Sequence, residues 1–164
     1  MSDPLRLRVL KALTTLLEGV TPTNGYMHDL AGKVFRGRTI FGQDDALPML
    51  AILESPVAPE QLPSPPNSGL SNGNWELLIQ GFVEDDKDNP TDPAHLLMAE
   101  VKKRLAVMKK TTGPGTGQDL LGIAEIYDFR IGAGVVRPPD GEISPTAYFW
   151  LNVVVVLAED LSNP

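Results

Sequence analysis

Apolar residues recur along this chain first at helical spacing, then at strand spacing, then at both again. Leu5, Val9, Ala12, Leu13, Leu16 and Leu17 stand three and four apart, which predicts a helix resting one face on a core. Asp3 before Pro4 predicts its start, because aspartate can accept from free backbone N–H groups and proline is tolerated in the first turn. Glu18-Gly19 predicts its end. A second stripe, Leu96, Leu97, Glu100, Val101, Arg104, Leu105 and Met108, predicts a helix capped by Thr91 or Asp92 with Pro93 in its first turn. Lys102 and Lys103 fall on its outer face, and Lys109 and Lys110 suit the negative end of the helix dipole.

Between and after these helices the pattern is that of strands. "YMHDLAGKVFRGR", Tyr26 to Arg38, predicts an irregular extended segment broken by Gly32 and Gly37. "LPMLAILE", Leu47 to Glu54, predicts a short buried strand, and "NWELLIQGFVED", Asn74 to Asp85, another. Part of "GIAEIYDFRIG", Gly122 to Gly132, alternates between two faces. "TAYFWLNVVVVLAED", Thr146 to Asp160, is aromatic and then β-branched, the strongest strand signal in the chain. Its near-continuous apolar run predicts burial on both faces and a central place in the sheet. "VVRPPDGEISP" reads as a loop around a Pro-Pro-Asp-Gly turn. The resulting order, α-β-β-β-α-β-β, predicts a single α+β domain with a mostly antiparallel four- to five-stranded sheet packed against two helices.

One long segment interrupts this order. Ser55 to Asn74 holds five prolines (Pro56, Pro59, Pro63, Pro65 and Pro66), two glycines and three asparagines in 20 residues. Proline removes donors and glycine raises the entropy cost of ordering, so an extended Pro/Gly-rich loop or arm is expected. "TTGPGTGQD", Thr111 to Asp119, reads as a connector.

Charge and composition narrow the function. The 164 residues carry 21 carboxylates against 14 lysines and arginines, a formal net charge of −7, which argues against tight DNA binding by a single copy. With no cysteine, disulfides and thiolate metal sites are excluded. "MSDPLRLRVL" has no apolar core of signal-peptide type, and "VVVVLA", Val153 to Ala158, is too short to span a bilayer, so no membrane partner is expected.

Reactive constellations are sparse. Glu84, Asp85, Asp86 and Asp88 could offer oxygen ligands to a divalent cation, which opens a metal-dependent hydrolase using Asp85, Asp86 and Asp88 as the least favoured reading. The cluster lacks the glycine and closing glutamate of a calcium loop and reads more simply as a solvated turn. His28 and Asp29 are neighbours that would point to opposite faces of a strand, and His95 falls in an exposed first helical turn. "GPGTG", Gly113 to Gly117, lacks the Lys-Ser/Thr ending of a phosphate loop and follows a helix rather than a strand. Neither a catalytic residue, nor a metal ligand, nor a cofactor is assigned. Lys33, Arg36 and Arg38 form a basic edge that either meets a partner or guards an edge strand against unwanted pairing. Trp75 reads equally as core or interface, and Phe149 as core.

Three segments carry a family resemblance: "KVFRGRTIFGQDDALPMLAILE", "NWELLIQGFVEDDKDNPTDPAHLLMAEVKKRL" and "DFRIGAGVVRPPDGEISPTAYFWLNVVVVLAED". In these the chain resembles the tail terminator (tail completion) proteins of long-tailed bacteriophages. The resemblance implies a non-enzymatic virion protein, assembled in the host cytoplasm, that forms a homo-oligomeric ring, typically a hexamer, at the head-proximal end of the tail. The ring would stop polymerisation of the tail tube protein and offer an attachment surface to the neck or connector protein. DNA would only pass through its channel. The alternative is a neck or head-tail joining protein. The residues expected at a subunit or tube interface are Lys33, Arg36, Arg38, Phe41, Trp75, Arg130 and Arg137, with the proline arm reaching a neighbour.

Overall fold

The computed structural model describes residues 2–55, 69–111 (backbone only for 109–111) and 120–164. Its elements run α1 (Leu5–Glu18), β1 (Val34–Arg36), β2 (Met49–Glu54), β3 (Leu70–Val83), α2 (Asp92–Thr111), β4 (Ile126–Ile131), β5 (Val135–Arg137) and β6 (Ala147–Asp160). The sheet order is β1-β2-β3-β6-β4, with β5 also paired to β6. Among the described residues only the β1–β2 pair is parallel. The fold is α+β with a mostly antiparallel sheet of six strands.

As its composition predicts, β6 is interior. It pairs along its whole length with β3, from Leu70↔Asp160 to Val83↔Ala147, and on its other side first with β5 and then with β4. Both helices pack on one face, which we call the inner face. There Leu5, Val9, Leu13 and Leu17 of α1 and Ala94, Leu97, Val101 and Leu105 of α2 meet Leu77 and Ile79 of β3 and Phe149, Leu151, Val153 and Val155 of β6, all buried. Burying one such side chain is worth about 1.5–3 kcal/mol, so this layer is the main source of stability.

Several expectations need correction. Asp3 does not cap α1; Pro4 is the N-cap, and Asp3 accepts from the Lys11 ammonium at 2.7 Å. Of Tyr26–Arg38 only Val34–Arg36 is strand, between Gly32 and Gly37, both at φ +68°. Residues 70–74, read as the end of the loop, are the first of β3, because β6 offers them a paired edge at 156–160. The loop reading of Val135–Arg137 also fails: three residues give no periodic signal, yet they add to β6 opposite Tyr148–Trp150. Continuous apolarity in β6 does not bury both faces. Trp150, Val154 and Val156 are only half-buried, while Leu151, Val153 and Val155 are fully enclosed.

The α2 stripe is apolar only in part. Leu96 is 50% exposed, and the two charged members of the stripe tie α2 to its surroundings. Arg104 Nε donates to the Leu16 carbonyl at 2.7 Å, sharing that acceptor near the C-terminus of α1 with the Gly19 N–H at 3.1 Å. The room for it comes from Gly19, where a Cβ would lie 2.2 Å from the Arg104 Nη2. Glu100 receives the backbone N–H of Met27 at 2.6 Å and of His28 at 3.1 Å, and its Oε2 lies 2.6 Å from His28 Nδ1.

Candidate assembly surface

Strict alternation along β2, β3 and β6 sends every second side chain to the face opposite the helices. On this outer face stand Met49 and Leu53 of β2, Leu78, Gln80 and Phe82 of β3, and Tyr148, Trp150, Asn152, Val154 and Val156 of β6. Neither helix lies over it. The face divides into an aromatic end and an open end, where Leu53, Leu78, Val154 and Val156 stand among Glu76, Asp128 and Arg130.

At the aromatic end, the loop from residue 38 to residue 48 folds back onto the sheet. Phe41 meets Phe82 at a tilt of 46° with 4.6 Å between centroids, Phe82 stacks on Tyr148 at 6.2 Å, and Tyr148 meets Trp150 edge-on at 5.7 Å. Arg38 fastens the loop: its guanidinium lies 4.7 Å from the Phe35 ring and 5.1 Å from the Phe41 ring, and pairs with Asp45 at 2.5 Å. The Gly42 backbone N–H and then Arg38 hold the Asp45 carboxyl below its usual range. Beneath the rings, the buried Tyr148 hydroxyl donates to Asp140 at 2.6 Å, and Asp140 also accepts from the Ile143 N–H at 2.6 Å. Burial, reinforced by the Asp140 carboxylate, pushes the Tyr148 phenol above its ordinary pKa.

At the open end, Leu53, Leu78, Val154 and Val156 are half-buried with no helix against them. A groove of about 450 Å³ runs between β3, β6 and the β4–β5 turn, lined among others by Leu78, Gln80, Val135, Trp150 and Asn152. The turn hugs β6 through Gly134 at φ +80°, where a Cβ would stand 2.6 Å from Met98 Sδ and 3.1 Å from the Trp150 carbonyl. Among the described residues no charged side chain lines the groove. The indole Nε1 of Trp150 is buried and meets no acceptor among the described residues.

The residues expected at the interface scatter across the fold. Phe41 lies on the outer face, but Arg38 is engaged with its own loop, and Arg36 donates to Thr14 Oγ1 of α1 at 2.9 Å. Two of the three residues of the basic edge therefore have internal partners; Lys33 is half-buried beside β1. Trp75 belongs to the core reading, at 2% exposure on the inner face beneath Arg6. Arg130 is exposed and pairs with Asp128 at 3.1 Å, and exposed Arg137 stands across from Tyr148. Pro56, Pro59, Pro63, Pro65, Pro66 and the "GPGTG" connector lie outside the described residues. Sequence reading missed Leu78, Gln80, Trp150, Asn152, Val154 and Val156 as a shared surface. A signal existed: Gln80 and Asn152 are lone amides in otherwise apolar runs, and both face outward.

Of the histidines, His95 is exposed as expected, and only His28 departs. His28 lies in a loop rather than a strand and is tied to Glu100, while Asp29 turns its carboxylate to the Ala31 N–H. Asp86 accepts from the backbone N–H groups of Asp88 and Asn89, the geometry of a turn. Among the described residues no three His, Asp or Glu side chains converge to hold a metal ion, and no helix is long and apolar enough to cross a membrane. No protein-family model matches this chain, and no curated protein does.

Proposed function

We propose that this chain is a structural subunit of a phage tail, a terminator whose copies close into a ring on the head-proximal end of the tail tube. The observation that carries this reading is the half-clad sheet. Both helices lie on one face, and the other presents Leu53, Leu78, Trp150, Val154 and Val156 half-buried. Half-buried apolar side chains on a sheet face that neither helix covers, flanked in register by the charges Glu76 and Arg130, fit association better than isolation. β1 and β4 end the strand order at opposite sides of the sheet. Copies could therefore meet head to tail, the interface type that closes into rings. The acidic balance of −7 suits a channel along which DNA slides without adhering. The segment resemblance supplies the tail context.

The test mixes purified protein with tube protein under polymerising conditions and reads mass by native mass spectrometry and tube length by negative-stain microscopy. Rings at tube ends and arrested growth are expected. A chain that stays monomeric at high concentration and leaves tube length uncontrolled refutes the proposal. Binding to connector particles with no effect on tube length assigns the chain to the neck instead.

A further inference from the structure

The uncharged groove on the outer face calls for an occupant of matching chemistry, and this chain contains one. Residues 56–68 read PVAPEQLPSPPNS, with five prolines, Val57 and Leu62, and Glu60 as the sole charge. Proline holds φ near the polyproline value, and a polyproline segment makes no internal hydrogen bonds, so its carbonyls stay free for a partner. Grooves that take such segments combine an aromatic wall with side-chain donors. Here the wall is Trp150 with Leu78 and Val135, and the donors are the amides of Gln80 and Asn152. The Trp150 Nε1–H, without an acceptor among the described residues, adds a donor in want of a carbonyl. One end of the segment stands close by: the N–H of Ser55 donates to the Glu76 carbonyl, two residues from Leu78 along β3, while the other end, Gly69, whose carbonyl accepts from the Leu161 N–H, lies at the far end of β3.

We infer that residues 56–68 of one copy dock in the groove bounded by Leu78, Gln80, Val135, Trp150 and Asn152 of the next. This rests on the ring reading for its direction, since each copy then gives one segment and receives another, the head-to-tail relation that a ring requires. It extends that reading by assigning the contact to a groove and a segment. The chemistry of docking, a proline-rich strand on an aromatic-walled groove, holds whatever the assembly is for.

Two measurements test it. In the first, residues 56–68 are replaced by a Gly/Ser linker of equal length, and a labelled synthetic peptide of residues 56–68 is titrated into that variant by fluorescence anisotropy. Saturable binding is expected, weakened at least about tenfold by Leu78→Glu or Val135→Glu, with thermal melts confirming that each variant folds. A peptide with all five prolines changed to alanine should bind more weakly. No binding to the linker variant, or binding indifferent to both groove substitutions, overturns the inference. In the second, the linker variant, which keeps its groove, is mixed with the Leu78→Glu chain, which keeps its segment. Docking between copies yields pairs that cannot grow, because each pair lacks a second junction. Peptide binding without pair formation places the segment in the groove of its own chain and overturns the exchange between copies. Should the linker variant close rings on tubes as well as the unaltered chain does, docking is not the ring contact and the inference fails while the ring proposal stands. Should pairs form while the unaltered chain never caps tubes, the ring proposal fails and the docking stands.

Discussion

Gly81 is where the central strands depend most on a missing side chain. It faces Phe149 in register across β3 and β6, and a Cβ placed on it would lie 2.0 Å from Cε1 and 2.4 Å from Cζ of that ring. Carbon atoms pack at about 3.5–4.0 Å, so Gly81→Ala requires the ring to retreat by about 1.5 Å. Phe149 has no exposed surface and lies among Leu151, Leu77 and the two helices, where retreat meets other packed atoms. Overpacking of this kind costs about 1–3 kcal/mol. For a domain of this size that lowers the melting temperature by about 2–4 °C per kcal/mol. The assay is urea unfolding of the wild type, Gly81→Ala, Phe149→Leu and the double variant. In the double variant the smaller side chain admits the added methyl, so the two costs should sum to less than their parts, with a coupling of about 0.5–3 kcal/mol. Unchanged stability in Gly81→Ala, or costs that add within about 0.5 kcal/mol, would show that the ring does not fill the notch.

Other outcomes follow from the polar ties and from the outer face. Burial pushes the Glu100 carboxyl up, but the Met27 N–H, the His28 ring and the His28 N–H together outweigh it and hold the pKa below its ordinary value. The resulting stabilisation is complete above the unfolded value of about 4.3 and is lost as pH falls through the folded one. Glu100→Gln should therefore flatten the acid limb of the stability curve measured by urea midpoints between neutral pH and pH ~3; an unchanged limb counts against the tie. Arg104→Ala removes one of the two donors to the Leu16 carbonyl, the other being the Gly19 N–H, and should cost about 0.5–1.5 kcal/mol, read as a lower urea midpoint; no shift would mean that water replaces the guanidinium. Spectrophotometric titration should show one tyrosine ionising above the usual range, with Asp140→Asn bringing it partway down; three ordinary tyrosines would refute the Tyr148–Asp140 bond. Val154→Lys should leave the melting temperature within the small range of surface substitutions, about ±0.5 kcal/mol, yet reduce assembly in sedimentation, whereas assembly at the wild-type level would remove Val154 from the interface.

What the sequence determined alone is what local spacing and composition can encode. The helices of residues 5–18 and 92–111, the central place of the last strand and the α+β class all follow from side chains repeating at the periods of 3.6 and 2. Tertiary structure decided where the charged members of those patterns are used. Arg104 and Glu100 hold an apolar stripe's positions but serve the end of α1 and the 26–28 loop, and Arg36 and Arg38 bond to Thr14 and Asp45 of their own chain. The strand at Val135–Arg137 exists because β6 has a free side at Tyr148–Trp150, a fact no three-residue window contains. The open outer face was equally hidden. Alternation tells which residues share a side, but only the placement of both helices on one side leaves Leu78, Trp150, Val154 and Val156 without a helix against them. Periodicity is local, whereas burial depends on which distant element arrives, and that is settled by packing of the whole chain.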